Sequence, residues 1–242
     1  MVSLNIQGWL IKIDKKLFTF INAKASSPAL DWLMLALRNP LTWIPLYAFI
    51  LYWIIRYHKK FACQFVVLTL VTFAITDFTC ASLLKPLFAR PRPCYDPELM
   101  PVLRSLVGCA GRYGMPSNHA SNHFGLAAFW FIAIKNISGR KWSWLWIWAA
   151  LVCYAQVYVG KHYPFDVTVG AILGITVGSL MALGFRKWLL TPRNVSAAAT
   201  SSDAIVSVNS DPAASTASDS TVSANSDSAV SINSDRTSSK NN

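Results

Sequence analysis

The sequence predicts an all-α membrane protein. The expected architecture is a polytopic helical bundle of about five spans, with N-terminal interfacial helices and a disordered C-terminal tail. Three observations carry this. Of 242 residues, 53% are hydrophobic and only 14% are charged, a balance typical of chains with bilayer-spanning runs. The apolar runs approach the length that crosses a bilayer. Short basic connections at 56–60, 135–141 and 186–193 divide these runs, each with three Lys or Arg. Three regions result: N-terminal interfacial and short helices at 1–40, a membrane domain at 41–190, and the tail at 194–242.

The net charge is +11, but the tail holds five Asp against Arg236 and Lys240, so residues 1–193 stand at +14. A basic body flanking apolar spans suits anionic lipid headgroups and a bilayer surface rather than nucleic acid. The N-terminus lacks the charged region, apolar core and cleavage site of a signal peptide.

Taken in order, Leu4, Ile6, Trp9, Leu10, Ile13, Leu17 and Phe20 recur at roughly helical spacing, with Lys12, Lys15 and Lys16 between them. Two readings stay open for this stretch: a helix lying on the membrane, or an amphipathic helix packed on a neighbour. Ser26-Ser27-Pro28 ends it, and 30–37 forms a short apolar helix. Pro40 disfavours helix at Asn39. The first span is 41–57, with Trp43 and Tyr57 near the interfaces. A basic turn of Arg56, His58, Lys59 and Lys60 leads into the second span, 61–84. Asp77 lies inside it, either as a hydrogen-bonded interior carboxyl or as a functional group.

Residues 86–118 form a long polar connection rich in Pro, Arg and Gly, and loops of this length are usually functional. Cys94 and Cys109 lie in it and could pair in an oxidising compartment. Cys63, Cys80 and Cys153 sit in apolar runs and behave as small hydrophobes. No cysteine spacing fits zinc. Three further spans follow at 119–135, 142–160 and 165–186. The tail repeats every eight residues, as in Ser207-Val208-Asn209-Ser210-Asp211 and Ser223-Ala224-Asn225-Ser226-Asp227. Its small polar residues cannot bury a core, so disorder is expected.

The three basic connections share one side, which the positive-inside rule assigns to the cytoplasm. Three polar islands then share the outer side: Lys85 to Pro93, Pro116 to His119, and Gly160 to Asp166. They hold two imidazoles, a carboxylate and several cations, a set suited to phosphate chemistry. One helical turn separates His162 from Asp166, so the carboxylate is expected to accept the Nδ1 proton and leave Nε2 free as a nucleophile. Ser117 suits a helix cap, which aims the first amides of the third span at an anion. His119, placed there, suits a proton donor. His123 is one turn on, but no carboxylate nearby in sequence completes a metal set. Lys85 and Arg92 supply fixed charge for phosphate oxygens.

In order, Lys85-x6-Arg92-Pro93, Pro116-Ser117-x-His119 and His162-x3-Asp166 resemble the three-part signature of the type 2 phosphatidic acid phosphatase superfamily. The resemblance covers roughly residues 60–188. It implies that His162 attacks phosphorus and forms a phosphohistidine, that Asp166 orients it, and that His119 protonates the leaving group. Lys85, Arg92 and Ser117 would bind phosphate, and neither metal nor cofactor would be used. Two positions depart from the pattern. Asn118 stands where the family has Gly, and Ala155-Gln156 where it has Ser-Arg. Asn118 and Gln156 are counted with the phosphate-binding set, and Gln156 brings hydrogen bonds without charge. Lys161, Arg90, Arg104 and Arg112 are candidates to compensate.

The implied activity is hydrolysis of a phosphate or diphosphate ester of a lipid, of the polyprenyl diphosphate, lipid A or phosphatidate class. It would take place at the periplasmic face of a bacterial inner membrane. The alternatives are the oxidation chemistry of related vanadate haloperoxidases, which are soluble, and a non-enzymatic membrane protein that only binds phosphorylated lipid.

Overall fold

A computed structural model describes residues 2–109 and 111–189. The octad-repeat tail lies outside the described residues. Helix α1 (Val2–Thr19) runs into a π-turn at Phe20–Lys24. Helix α2 (Pro28–Arg38) follows, capped by Ser27, whose Oγ accepts from the Leu30 N–H at 3.3 Å. Pro28 occupies its first turn, where a missing N–H costs nothing. A 3-10 turn at Pro40–Trp43 leads into α3 (Ile44–Phe78). The short α4 (Lys85–Phe88) begins the long polar connection. Then come α5 (Asn118–Ser138), α6 (Trp144–Tyr158) and α7 (Pro164–Leu189).

The basic turn predicted at 56–60 is a break inside α3. His58 leaves helical geometry (φ −140°, ψ 39°). Tyr47 stacks edge-on against Trp130 at 6.0 Å, and the Trp130 Nε1–H donates to Thr69 at 3.0 Å. Tyr47 and Thr69 lie equally far before and after His58, so the chain folds back there and the first two expected spans are its two arms. Among the described residues, two stretches are long and apolar enough to cross a bilayer, Pro40–Phe88 and Pro164–Leu189, and Trp144–Tyr158 is apolar but shorter. The expected third span falls on α5, which is polar at its start because Asn118, His119, Ser121, Asn122 and His123 all lie there. This helix sits in the middle of the bundle, with Ala127, Ala128, Phe129, Ala133 and Ile134 fully buried.

The tightest packing is between α5 and α7. Gly170, Gly174 and Gly178 recur every fourth residue and so share one face of α7. A Cβ on Gly170 would lie 2.6 Å from the Ser117 carbonyl. One on Gly174 would collide with the Ser121 carbonyl, and one on Gly178 with that of Gly125. Small residues at this spacing let two helix backbones touch, which is a main source of helix association in lipid.

The N-terminal segment packs on the membrane domain. Phe18 is 1% exposed and meets Tyr163 with ring centroids 5.4 Å apart, a burial worth about 2 kcal/mol. Lys15, expected on a solvated basic face, instead pairs with Asp96 and Glu98, both at 2.7 Å. Of the two readings of this helix, the packed one describes that face. Trp9, Leu10, Leu17 and Phe20 stay exposed on the other. Asn22 is completely buried and fully used. Its Nδ2 donates to the carbonyls of Arg104 and Tyr158, and its Oδ1 accepts from the Arg104 N–H. Cys94 and Cys109 form a disulfide within the long polar connection.

The α5–α7 contact predicts the effect of a side chain at its centre. Gly174→Leu should destabilise the protein by about 3 kcal/mol, since overpacked cores cost about that much. Thermal unfolding in detergent reads this out. Gly184→Ala should leave the transition in place, because nothing lies within 4 Å of a Cβ there.

Candidate active site

The three polar islands converge at the shared end of α5 and α7. The Ser117 N–H donates to the Asp166 carbonyl at 3.0 Å, joining the second island directly to the third. Ser117 is fully buried and its Oγ takes the Ala120 N–H at 3.5 Å, the predicted cap. The first island pairs with the segment just before the second. The Gly114 N–H donates to the Arg90 carbonyl at 2.9 Å, and the Arg92 N–H to that of Arg112 at 3.3 Å. Gly114 is needed for space: a Cβ there would sit 3.0 Å from Asp166 Oδ2 and 3.3 Å from Arg92 Cγ.

His162 and Asp166 are 3% and 0% exposed. Arg92 Nη1 lies 3.2 Å from His162 Nε2 and donates to the Lys161 carbonyl at 3.1 Å, while its Nε donates to Gly111. A guanidinium can only donate, so this partner assigns the lone pair to Nε2 and the proton to Nδ1. That is the tautomer a nucleophilic Nε2 requires. Gly160 begins the turn that aims the ring. Its φ of +83° lies in the region glycine tolerates, and a Cβ would meet the Arg104 carbonyl at 2.9 Å.

One expected contact is different. His162 Nδ1 and Asp166 Oδ2 are 3.7 Å apart, and Nδ1 has no hydrogen-bond partner. This is an electrostatic approach, too long for a hydrogen bond. The carboxylate is already engaged: Oδ1 accepts from Arg90 at 2.8 Å and Oδ2 from the Tyr163 N–H at 3.1 Å. Burial lowers the pKa of His162, the nearby charges of Arg92 and Lys85 act in the same direction, and Asp166 opposes them. The ring is therefore neutral at neutral pH.

His119 opens α5 one residue after Asn118 and lies within electrostatic reach of His162 and Lys85. It also lines a cavity of about 620 Å³ between α3 and α5, whose apolar wall includes Ile50, Phe65, Leu70, Phe73 and Leu126. His123 donates Nδ1–H to the His119 carbonyl at 2.8 Å. Asn118 does not turn its side chain into the island cluster: its Nδ2 donates to Asp77 Oδ1 at 2.7 Å, beside Asn122 at 3.0 Å. Asp77 is thus the hydrogen-bonded interior carboxyl. Gln156 is 1% exposed, with Nε2 unpartnered.

The candidates to replace the charge absent at Gln156 are mostly committed elsewhere. Arg90 is bound to Asp14 and Asp166, Arg104 to Asp31, and Lys161 to the Gly108 carbonyl. Arg38, at the end of α2, had not been singled out. It is half-buried, its Nε has no hydrogen-bond partner, and its charge acts on both His119 and Lys161. The other group missed was Asp14, the one acid in a lysine-rich helix, and that isolation was the available signal.

Comparison with known proteins gives the family. The family described as the PAP2 superfamily matches residues 61–189. The chain is 36% identical over 189 residues to the lipid A 4'-phosphatase of Bacteroides thetaiotaomicron, covering 75% of this chain and 76% of that protein. It is 29% identical to the lipid A 4'-phosphatase of Porphyromonas gingivalis, covering 70% and 72%. The crystal structure of a transmembrane PAP2-type phosphatidylglycerolphosphate phosphatase from Bacillus subtilis superposes with a TM-score of 0.52 at 18% identity, covering 76% and 89%. That likeness is one of fold. Asp14 and Arg38 both precede the matched residues.

Proposed function

Since the chain belongs to the PAP2 superfamily and is a membrane lipid phosphatase, we propose that it removes a phosphate monoester from a lipid A-type glycolipid through a phosphohistidine on His162. The lipid A 4'-phosphatase relatives favour an enzyme over the non-enzymatic alternative. The observation that carries the mechanism is the pairing of Arg92 Nη1 with His162 Nε2 at 3.2 Å. The nucleophilic lone pair faces the cation that would hold the phosphate, so an incoming phosphoryl group meets both at once.

In the first step His162 Nε2 attacks phosphorus. A P–N bond forms, the bond from phosphorus to the lipid oxygen breaks, and His119 gives its proton to that oxygen. Asp166 stabilises the charge that appears on the ring. In the second step His119 takes a proton from water, whose oxygen attacks phosphorus. The P–N bond breaks and inorganic phosphate leaves. Lys85, Arg92 and the Ser117 end of α5 hold the phosphate oxygens. The position of His119 on the apolar cavity supports its role as the acid. A lipid chain in that cavity brings the leaving oxygen past His119 on its way to His162.

The lipid A class rests on the two relatives of that name. The placement rests on the basic turns at 56–60 and 135–141, which favour the cytoplasm and leave the site on the periplasmic face of an inner membrane.

Two experiments test this reading. His162→Ala should lose at least about 10³-fold on both a lipid phosphate and an aryl phosphate, because attack on phosphorus is lost whatever the leaving group. His119→Ala should lose about 10²-fold more on the lipid phosphate than on the aryl phosphate, whose leaving group needs no proton. Equal losses in His119→Ala would remove it as the acid, and chelator should change neither rate. For orientation, the free cysteines Cys63, Cys80 and Cys153 are first replaced. Met100→Cys should then react with an impermeant thiol reagent applied from outside, and Lys141→Cys should not. The reverse pattern would put the site on the cytoplasmic face.

A further inference from the structure

Arg90 binds two carboxylates beside the site. Nη1 donates to Asp166 Oδ1 at 2.8 Å, and Nη2 to Asp14 Oδ2 at 2.6 Å. Its guanidinium carbon also lies 4.2 Å from the centroid of the Tyr163 ring. Asp14 is 7% exposed, and its other oxygen, Oδ1, accepts the Phe165 N–H in the first turn of α7 at 2.9 Å. A carboxylate on α1 therefore serves two groups of the third island at once: the cation that holds Asp166, and a backbone amide beside it. The next residue along α1, Lys15, binds Asp96, which accepts a hydrogen bond from the Tyr163 hydroxyl at 2.8 Å. Both neighbours of His162's turn are thus tied to the N-terminal helix.

A buried ion triad of this kind adds little net stability over apolar packing. What it does supply is a fixed orientation. Asp166 must stand with one oxygen toward His162, and among the described residues Arg90 and the Tyr163 N–H hold its carboxylate there. Both terminal nitrogens of Arg90 are spent on carboxylates, so it cannot serve as the charge that Gln156 lacks.

We propose that Arg90 and Asp14 are positioning residues of the reaction: Asp14 fixes Arg90, Arg90 fixes Asp166, and Asp166 sets the orientation and proton affinity of His162. The N-terminal helix is then part of the catalytic apparatus. This rests on the assignment of His162 as the nucleophile. The groups that face His162 are Arg92 from the first island, Asp166 on α7, and Lys85 and His119 at longer range. Removing the positive charge on Arg90 leaves the Asp166–His162 pair more negative. The pair then binds a proton more readily, and His162 is lost as a nucleophile at a higher pH.

The test uses the full chain in detergent with a water-soluble aryl phosphate. Arg90→Gln should lower kcat by about 10- to 100-fold with KM nearly unchanged, the scale of a misplaced catalytic group. Its acidic limb in kcat/KM should move to higher pH, and Arg90→Lys should restore the limb. Asp14→Ala should lower kcat in the wild-type background and have no further effect in Arg90→Gln, because both act through one chain of contacts. A rise in KM with kcat intact would make Arg90 a phosphate ligand and overturn the proposal. So would independent, multiplying losses from Asp14→Ala and Arg90→Gln. If Arg90→Gln does not fold, Asp14→Asn decides, and an unchanged kcat there overturns the proposal. His162→Ala is run alongside. Turnover in that variant would show that the nucleophile assignment failed, and its absence attributes any other failure to the positioning claim alone.

Discussion

The close contact between α5 and α7 is the constraint from which the rest of the structure follows. Gly170, Gly174 and Gly178 present no side chain to α5, so the two backbones meet. At the end of that seam the Ser117 N–H reaches the Asp166 carbonyl. Two helix N-termini are thereby held side by side, with His119 on one and Asp166 on the other. The first island then has one place to lie. It pairs with residues 112–114, and Arg90 and Arg92 reach the carboxylate and the imidazole from that position. A bundle whose seam opened by the width of a methyl group would move His119 away from His162.

The electrostatics are set by burial. Asp166 is completely enclosed, and a buried carboxylate is tolerated only when its hydrogen-bonding capacity is met. Arg90 donates to one of its oxygens and the Tyr163 amide to the other, and the carboxylate stands 3.7 Å from His162. The imidazole, also buried and beside Arg92 and Lys85, stays neutral and keeps its lone pair. The site thus holds several cations and a neutral imidazole together. Each is stabilised by a partner that belongs to a different part of the chain.

Much of this was legible in the sequence, and the parts that were not have physical reasons. The motif residues could be named because each carries chemistry at a fixed local spacing, as His162 and Asp166 do one helical turn apart. The apolar runs gave the helices, although α5 is less apolar than a bilayer span because its first turns belong to the site. What could not be read were long-range pairings. Nothing in Lys12-Ile13-Asp14-Lys15 says that Asp14 meets Arg90, since that contact depends on how α1 lies across α7. Asn22 is similar: a polar residue near the end of the first helix in sequence, it becomes a buried hub once Arg104 and Tyr158 surround it. Asn118 was read by its motif position as a phosphate ligand. Its side chain is instead committed to Asp77, a partner that only the fold supplies.

The central claim is that the phosphoryl group passes through His162, and direct capture of the intermediate tests it most plainly. The wild-type protein would be mixed with an aryl phosphate, quenched in alkali within the first turnover and digested for mass spectrometry. The account predicts a single phosphoryl group on the peptide that contains His162, carried on Nε2. A phosphoryl group on His119 or on any other residue, or a first-turnover burst with no phosphorylated peptide, would contradict it.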